Sequence, residues 1–176
     1  MGKQYRKLLE TDINFIKNQK MFFIASCSNK EVNLSPRGYD SLRVIDSKTI
    51  YMIDYLGSGN RTARDIEKDG EITLMFNSFD GKPKILRCFC KGETILNTDT
   101  KFSDKISLFN EDKNAIRQIF KFKIYAVETS CGMGVPIMNF QEERSEVRDY
   151  ALKMFKQDKF ERYVQDHRNP INLKEL

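Results

Sequence analysis

The spacing of apolar and polar positions changes period several times along this chain, and each change marks an element. Residues 21–28 (Met-Phe-Phe-Ile-Ala-Ser-Cys-Ser) form an apolar run too short for an ordinary helix; it ends at the turn pair Asn29-Lys30 and predicts a core strand. Residues 49–54 and 71–77 predict two more strands. The second is apolar at Ile72, Leu74 and Phe76 on one face and at Met75 on the other. Asp80-Gly81 supplies a turn into a long strand over 83–95, where Ile85, Arg87, Phe89 and Lys91 share one face and Leu86, Cys88 and Cys90 the other. Residues 122–128 are rich in strand formers and predict the closing strand. Pro36 cannot donate to a ladder and Gly38 allows a bend, so residues 32–40 belong at a sheet edge.

Helical spacing appears elsewhere. Thr11 is placed to cap a helix carrying Ile13 and Ile16, with Leu8 and Leu9 leading in. A short helix is predicted from Asn60 to about Lys68, with Gly70 as its stop. Residues 98–120 suggest two short helices, around Phe102, Ile106 and Phe109 and around Ile116, Ile119 and Phe120. Val147, Tyr150, Ala151, Met154 and Phe155 make an amphipathic stripe, and Asp158 with Glu161 forms a capping pair for a further helix carrying Phe160, Tyr163 and Val164. Short strands, glycine turns and one inserted helix predict a mainly β fold, an antiparallel barrel with peripheral helices. One domain covers residues 1–176, with C-terminal helices over about 142–167 and a charged tail from Arg168.

Composition narrows the chemistry. A hydrophobic fraction of 40%, with 13 phenylalanines and 7 tyrosines, argues against disorder. The net charge of +5 is spread along the sequence, without the basic clusters of a nucleic-acid footprint, so no nucleic-acid partner is expected. Four dispersed cysteines and a single histidine, His167, lack the paired spacing of a zinc site, so no metal is expected. There is no signal-like apolar core and no run long enough for a membrane span, which predicts a cytoplasmic protein without a membrane partner.

The stretch with most chemistry is Asp54-Tyr55-Leu56-Gly57-Ser58-Gly59-Asn60-Arg61-Thr62-Ala63-Arg64, where a predicted strand passes through a glycine turn into a helix start. Free amides at a helix start favour an anion, and Arg61, Thr62 and Arg64 add two cations and a hydroxyl. Cations in a first turn oppose the helix dipole and gain a rationale if an anion sits between them; the alternative is a solvated helix start. The stretch is neither a Walker loop nor a GxGxxG fingerprint. Arg37, between Pro36 and Gly38, suits a binding group or a surface turn. Arg87, among apolar neighbours, is either paired in place or reaching a ligand. The loop Ser130-Cys131-Gly132-Met133-Gly134-Val135-Pro136 presents a cysteine with no histidine nearby to act as base, so a close-packed structural loop competes with a nucleophile.

Together these segments resemble the pyridoxamine 5'-phosphate oxidase-like family. The resemblance rests on Leu34-Ser35-Pro36-Arg37-Gly38, the junction at 54–63, Ile72-Thr73-Leu74-Met75-Phe76 with Phe79-Asp80-Gly81, Ile85-Leu86-Arg87, and the Ser-Cys-Gly-x-Gly-Val-Pro motif at 130–136. It covers roughly residues 10 to 165 and points to the subgroup that carries that last motif.

The resemblance implies a six-stranded FMN-binding split barrel that forms a homodimer with flavin at the interface. By it, Asn60, Arg61 and Thr62, with Arg64 nearby, hold the flavin phosphate. Ser35, Pro36 and Arg37 flank the isoalloxazine, Asp54 and Tyr55 end the strand beside it, and Arg87 lies on a strand that commonly offers a group to phosphate or ring. The implied function is a flavin-dependent oxidoreductase of unidentified substrate, the alternative being a non-catalytic flavin- or haem-binding carrier or sensor. Relatives of this fold use FMN, a deazaflavin or haem. The chain has Asn60-Arg61-Thr62 where the authentic oxidase has a Ser-Arg-Lys clamp, and no counterpart of that enzyme's substrate-binding C-terminal segment follows Pro136. Both departures point away from pyridoxamine phosphate oxidation.

Overall fold

A computed structural model describes residues 2–171 and 173–175. In chain order the elements are β1 (Gln4–Tyr5), α1 (Glu10–Asn18), β2 (Phe22–Ser28), β3 (Glu31–Arg37), β4 (Leu42–Asp46), β5 (Thr49–Tyr55), α2 (Arg61–Lys68), β6 (Glu71–Asn77), β7 (Ile85–Leu96), α3 (Phe102–Ile106), β8 (Ile116–Ser130), α4 (Glu146–Lys156) and α5 (Phe160–Asp166), with single 3-10 turns at Lys113–Ala115 and Leu173–Glu175.

All strand pairs are antiparallel and follow the order β3-β2-β6-β7-β8-β5-β4. The 15-residue β8 organises the sheet: β7 runs along one edge of it, while β5 and the short β1 share the other. Among the described residues no ladder joins the end strands β3 and β4, so the barrel is split there. The β2–β3 hairpin closes on Asn29 and Lys30, both at positive φ (50° and 60°), a twist that matches the strands it joins.

Two apolar clusters hold the fold. One fills the barrel with Ile24, Met52, Leu74, Phe76, Leu86 and Phe120; the other lies outside it, where Tyr51, Ile53, Ile116 and Ile119 meet Ala151 of α4 and Phe160 of α5. α2 packs on β7 at Gly92, where an added Cβ would lie 2.7 Å from Ile66 Cγ1. Cys88 and Cys90 point into the barrel together, and burial pushes the Cys88 thiol up to about 12, so it stays protonated and inert. No helix among the described residues is long and apolar enough to cross a membrane.

The fold class is as expected, with corrections of detail. Among the described residues there are eight strands rather than six, β1 and β4 being the additional ones. Ile116 and Phe120 belong to β8 rather than to a second short helix. Both faces of this end of β8 are buried, which erases the period of two and leaves a spacing that mimics a helix. Leu9, not Thr11, occupies the N-cap of α1, and the Asp12 carboxylate accepts the Leu9 N–H at 3.0 Å. Lys159, not Asp158, precedes α5, and Asp158 sits at φ 56°. The α4 stripe is core only at Ala151, while Val147, Tyr150 and Phe155 are exposed.

The loop after β8 is close-packed where the sequence placed its first glycine. Gly132 has φ +67°, and a Cβ there would sit 2.8 Å from the Lys84 backbone nitrogen. Gly132→Ala is therefore expected to destabilise the fold by about 1–3 kcal/mol, read as a lower urea midpoint; an unchanged midpoint would contradict this packing.

Candidate functional site

Beside the split, β3, the end of β5, the Gly57-Ser58-Gly59 turn and the start of α2 enclose a cavity of about 700 Å³, within the range of small-molecule and cofactor sites. Ser35, Pro36, Arg37, Tyr55, Arg61 and Thr62 all line it, so six of the ten expected residues meet at one place. Arg144, Glu146 and Val147, ahead of and opening α4, complete its lining.

Asp54 lies beneath the cavity, 1% exposed, between two arginines: 3.2 Å from Arg37 and 2.8 Å from Arg117. Burial pushes the Asp54 carboxyl up, but the two guanidiniums and the Gln118 amide (2.7 Å) outweigh it and hold the carboxyl below its usual range. Asp54 therefore stays ionised and fixes Arg37 at the cavity. The Arg37 Nε is buried and makes no hydrogen bond. Such an atom is normally satisfied, so Arg37 has capacity for an acceptor that enters the cavity.

Asn60 occupies the N-cap of α2, but its side chain does not cap the helix: it donates to the Arg168 carbonyl (3.0 Å) and accepts from Gln118 (2.8 Å). The first turn of α2 contains no acidic residue, so its amides and dipole remain available to an external anion. The Thr62 hydroxyl accepts from the Asn33 amide at 3.2 Å, leaving its own hydrogen to donate. Arg61 lines the cavity while its guanidinium also pairs with Glu31. The charged residues of the lining are four arginines (Arg37, Arg61, Arg117 and Arg144) against Glu146, a clear excess of positive charge.

Two expected residues lie elsewhere. Arg64 points to the other side of α2, into a small cleft with Glu31 and Lys68, and its contacts are Glu31 (3.3 Å) and Asp65 (2.8 Å). Arg87 is paired in place on β7, 3.3 Å from Glu128 and 3.1 Å from the Ser130 hydroxyl, away from the cavity. Cys131 is exposed and does not line the cavity either. His167 stacks on Tyr163 at 4.0 Å, and its Nδ1 lies 2.9 Å from the Tyr163 carbonyl. Sequence reasoning missed Arg117, which was assigned to a short helix; a lone arginine between Ile116 and Gln118 carries no motif that would have found it.

Among the described residues no group of three or more His, Cys, Asp or Glu is arranged to hold a metal. The arrangement instead suits a sizeable anionic ligand whose anion meets the glycine turn and the start of α2, with the rest of the molecule along β3 beside Arg37.

Comparison with known proteins agrees with the fold. The curated protein Pyridoxamine 5'-phosphate oxidase family protein ustO of Aspergillus flavus is 29% identical over 140 residues, 77% of this chain and 56% of that protein; the chain thus spans about half the length of that relative. HupZ of Group A Streptococcus superposes with a TM-score of 0.55 at 16% identity, covering 68% of this chain and 92% of that one. An FMN-binding protein from Syntrophomonas wolfei subsp. wolfei gives 0.52 at 18%, covering 76% and 88%. Residues 10–131 match the profile of the family described as Pyridoxamine 5'-phosphate oxidase, and the chain belongs to that family.

Proposed function

We propose that the protein binds FMN in the cavity beside the barrel split and acts as a flavin-dependent oxidoreductase that is not an authentic pyridoxamine phosphate oxidase. The observation that carries this reading is the cavity itself: a free guanidinium nitrogen at one end, an acid-free helix start with Arg61 and Thr62 at the other, and space for a cofactor between. The fold likeness to a protein described as FMN-binding supports it. Arg61, Thr62 and the turn amides would hold the phosphate, and Ser35, Pro36 and Arg37 would lie along the ring. Bound FMN supplies hydride and electron chemistry. Arg37, anchored by Asp54, places positive charge where an electron-rich ligand is stabilised. The residues Ser130-Cys131-Gly132-Met133-Gly134-Val135-Pro136 themselves support placement in the subgroup that carries this motif.

Among the described residues the lining offers haem no histidine, cysteine or methionine, and only Tyr39 and Tyr55 as candidate axial ligands. It also contains no carboxylate beyond Glu146, which favours a non-catalytic flavin carrier as the second reading; turnover of reduced nicotinamide by the loaded protein separates the two. FMN and riboflavin titrations followed by flavin fluorescence test the cofactor: FMN is expected to bind tighter by at least about tenfold, and equal affinities would remove the phosphate assignment.

The homodimer belongs to the same proposal. Val32 and Leu34 are 74% and 62% exposed on the end strand β3, and Met133, Ile137, Met138 and Phe140 are exposed in the segment that follows β8. A second copy would cover these surfaces. Leu34→Asp is expected to shift the protein from dimer to monomer in size-exclusion chromatography with light scattering; a wild-type monomer would contradict the proposal. Four cysteines without a disulfide among the described residues fit a reducing cytoplasm.

A further inference from the structure

Resting on that reading of the cavity, we propose that Arg117 is a positioning residue that shapes the Gly57-Ser58-Gly59 turn into an anion cradle and, through Asp54, couples the cradle to Arg37. The β5–β8 ladder pairs Asp54 with Gln118 and Tyr55 with Ile116, so Arg117 is the extra residue of a β-bulge. Bulges re-aim side chains, and this one directs Arg117 under the turn. The guanidinium is 4% exposed and every nitrogen is used: Nε donates to Asp54 Oδ2 at 2.8 Å, one terminal nitrogen to the Gly57 carbonyl at 2.9 Å, and the other to the Gly59 carbonyl.

Those two carbonyls determine the turn's polarity. No peptide bond among the described residues is cis, so each carbonyl opposes the next residue's N–H. With the Gly57 and Gly59 carbonyls drawn onto Arg117, the Ser58 and Asn60 N–H groups are directed away from it. These two alternate amides, ahead of the amides of α2, face away from the buried cation and add donors to those of the helix start for an anion that approaches it. The same guanidinium is held by Asp54, whose second oxygen faces Arg37, so displacing Arg117 disturbs both ends of the cavity.

Lysine keeps the charge at 117 but cannot reach Asp54 and both carbonyls at once. Arg117→Lys is therefore expected to keep a cooperative thermal transition, to shift the backbone amide resonances of Ser58 and Asn60 in the ligand-free protein, because the carbonyl across each peptide loses its donor, and to reduce the preference for FMN over riboflavin by about tenfold or more. Should Arg117→Lys fail to fold, Asp54→Asn, which preserves volume, is read by the same two measurements. Unchanged Ser58 and Asn60 amide resonances together with a wild-type FMN preference in the folded variant would overturn the inference. A wild-type protein without any preference for FMN would instead overturn the phosphate reading on which it rests, and the ligand-free resonances tell the two failures apart.

Discussion

Asp54→Ala is expected to cost about 3–5 kcal/mol of folding stability, because it leaves the buried Arg117 guanidinium without its counter-ion. Arg117 accounts for most of this: the Arg37 side chain is 29% exposed, and its pairing with Asp54 is partly screened by water. Equilibrium urea unfolding of the two proteins measures the difference, and a loss below about 1 kcal/mol would show that the buried triad does not hold the site together. The same pair gives a pH test. The folded-state carboxyl of Asp54 titrates below its usual value of 3.8, so its contribution is present in full above about pH 4 and is lost as pH falls through the lower folded value. The stability gap between wild type and Asp54→Ala should therefore stay constant from about pH 5 to 8 and narrow in acid. A gap that widens on acidification would mean that Asp54 is not held ionised by its arginines.

The double change Arg61→Ala with Thr62→Ala is expected to weaken FMN by roughly ten- to a hundredfold while leaving riboflavin nearly unaffected, because only FMN carries the phosphate. Losing a charge-assisted hydrogen bond costs about 1.5–3 kcal/mol, and the Thr62 hydroxyl adds to it. Glu31 keeps Arg64 as a partner after the change, so the network under α2 survives and the variant should fold. Equal loss of both ligands would indicate a collapsed site rather than a missing phosphate contact.

The parts of this molecule most legible in its sequence are strands with one face more exposed than the other and short runs of strand-forming residues bounded by turns. β2 and β6 showed their runs, Gly70 (φ +69°) stopped α2, and the turn before α2 announced an anion site through its glycines. Segments buried on both faces lost their period: β5 and the start of β8 are covered by the barrel core inside and by α3 to α5 outside, and the second of these was mistaken for a helix. That error hid Arg117, since a bulged residue can be recognised only once both strands and their register are known. Motif order brought Ser35, Pro36, Arg37, Tyr55, Arg61 and Thr62 to one cavity. Arg64 and Arg87 do not join them because of where their backbones sit: Arg64 projects from the far side of α2 toward Glu31 and Lys68, and Arg87 lies on β7 beside Glu128. A sequence shows a cation but not the counter-ion across the sheet that occupies it.

The central claim is that the cavity beside the split holds FMN. It is tested most directly by the visible spectrum of the protein purified without added cofactor, together with identification by mass of any ligand released on heating. A flavin spectrum and released FMN, or full uptake of FMN by a colourless preparation, is the expected result. A Soret band, a deazaflavin mass, or a colourless protein that takes up no FMN would contradict it.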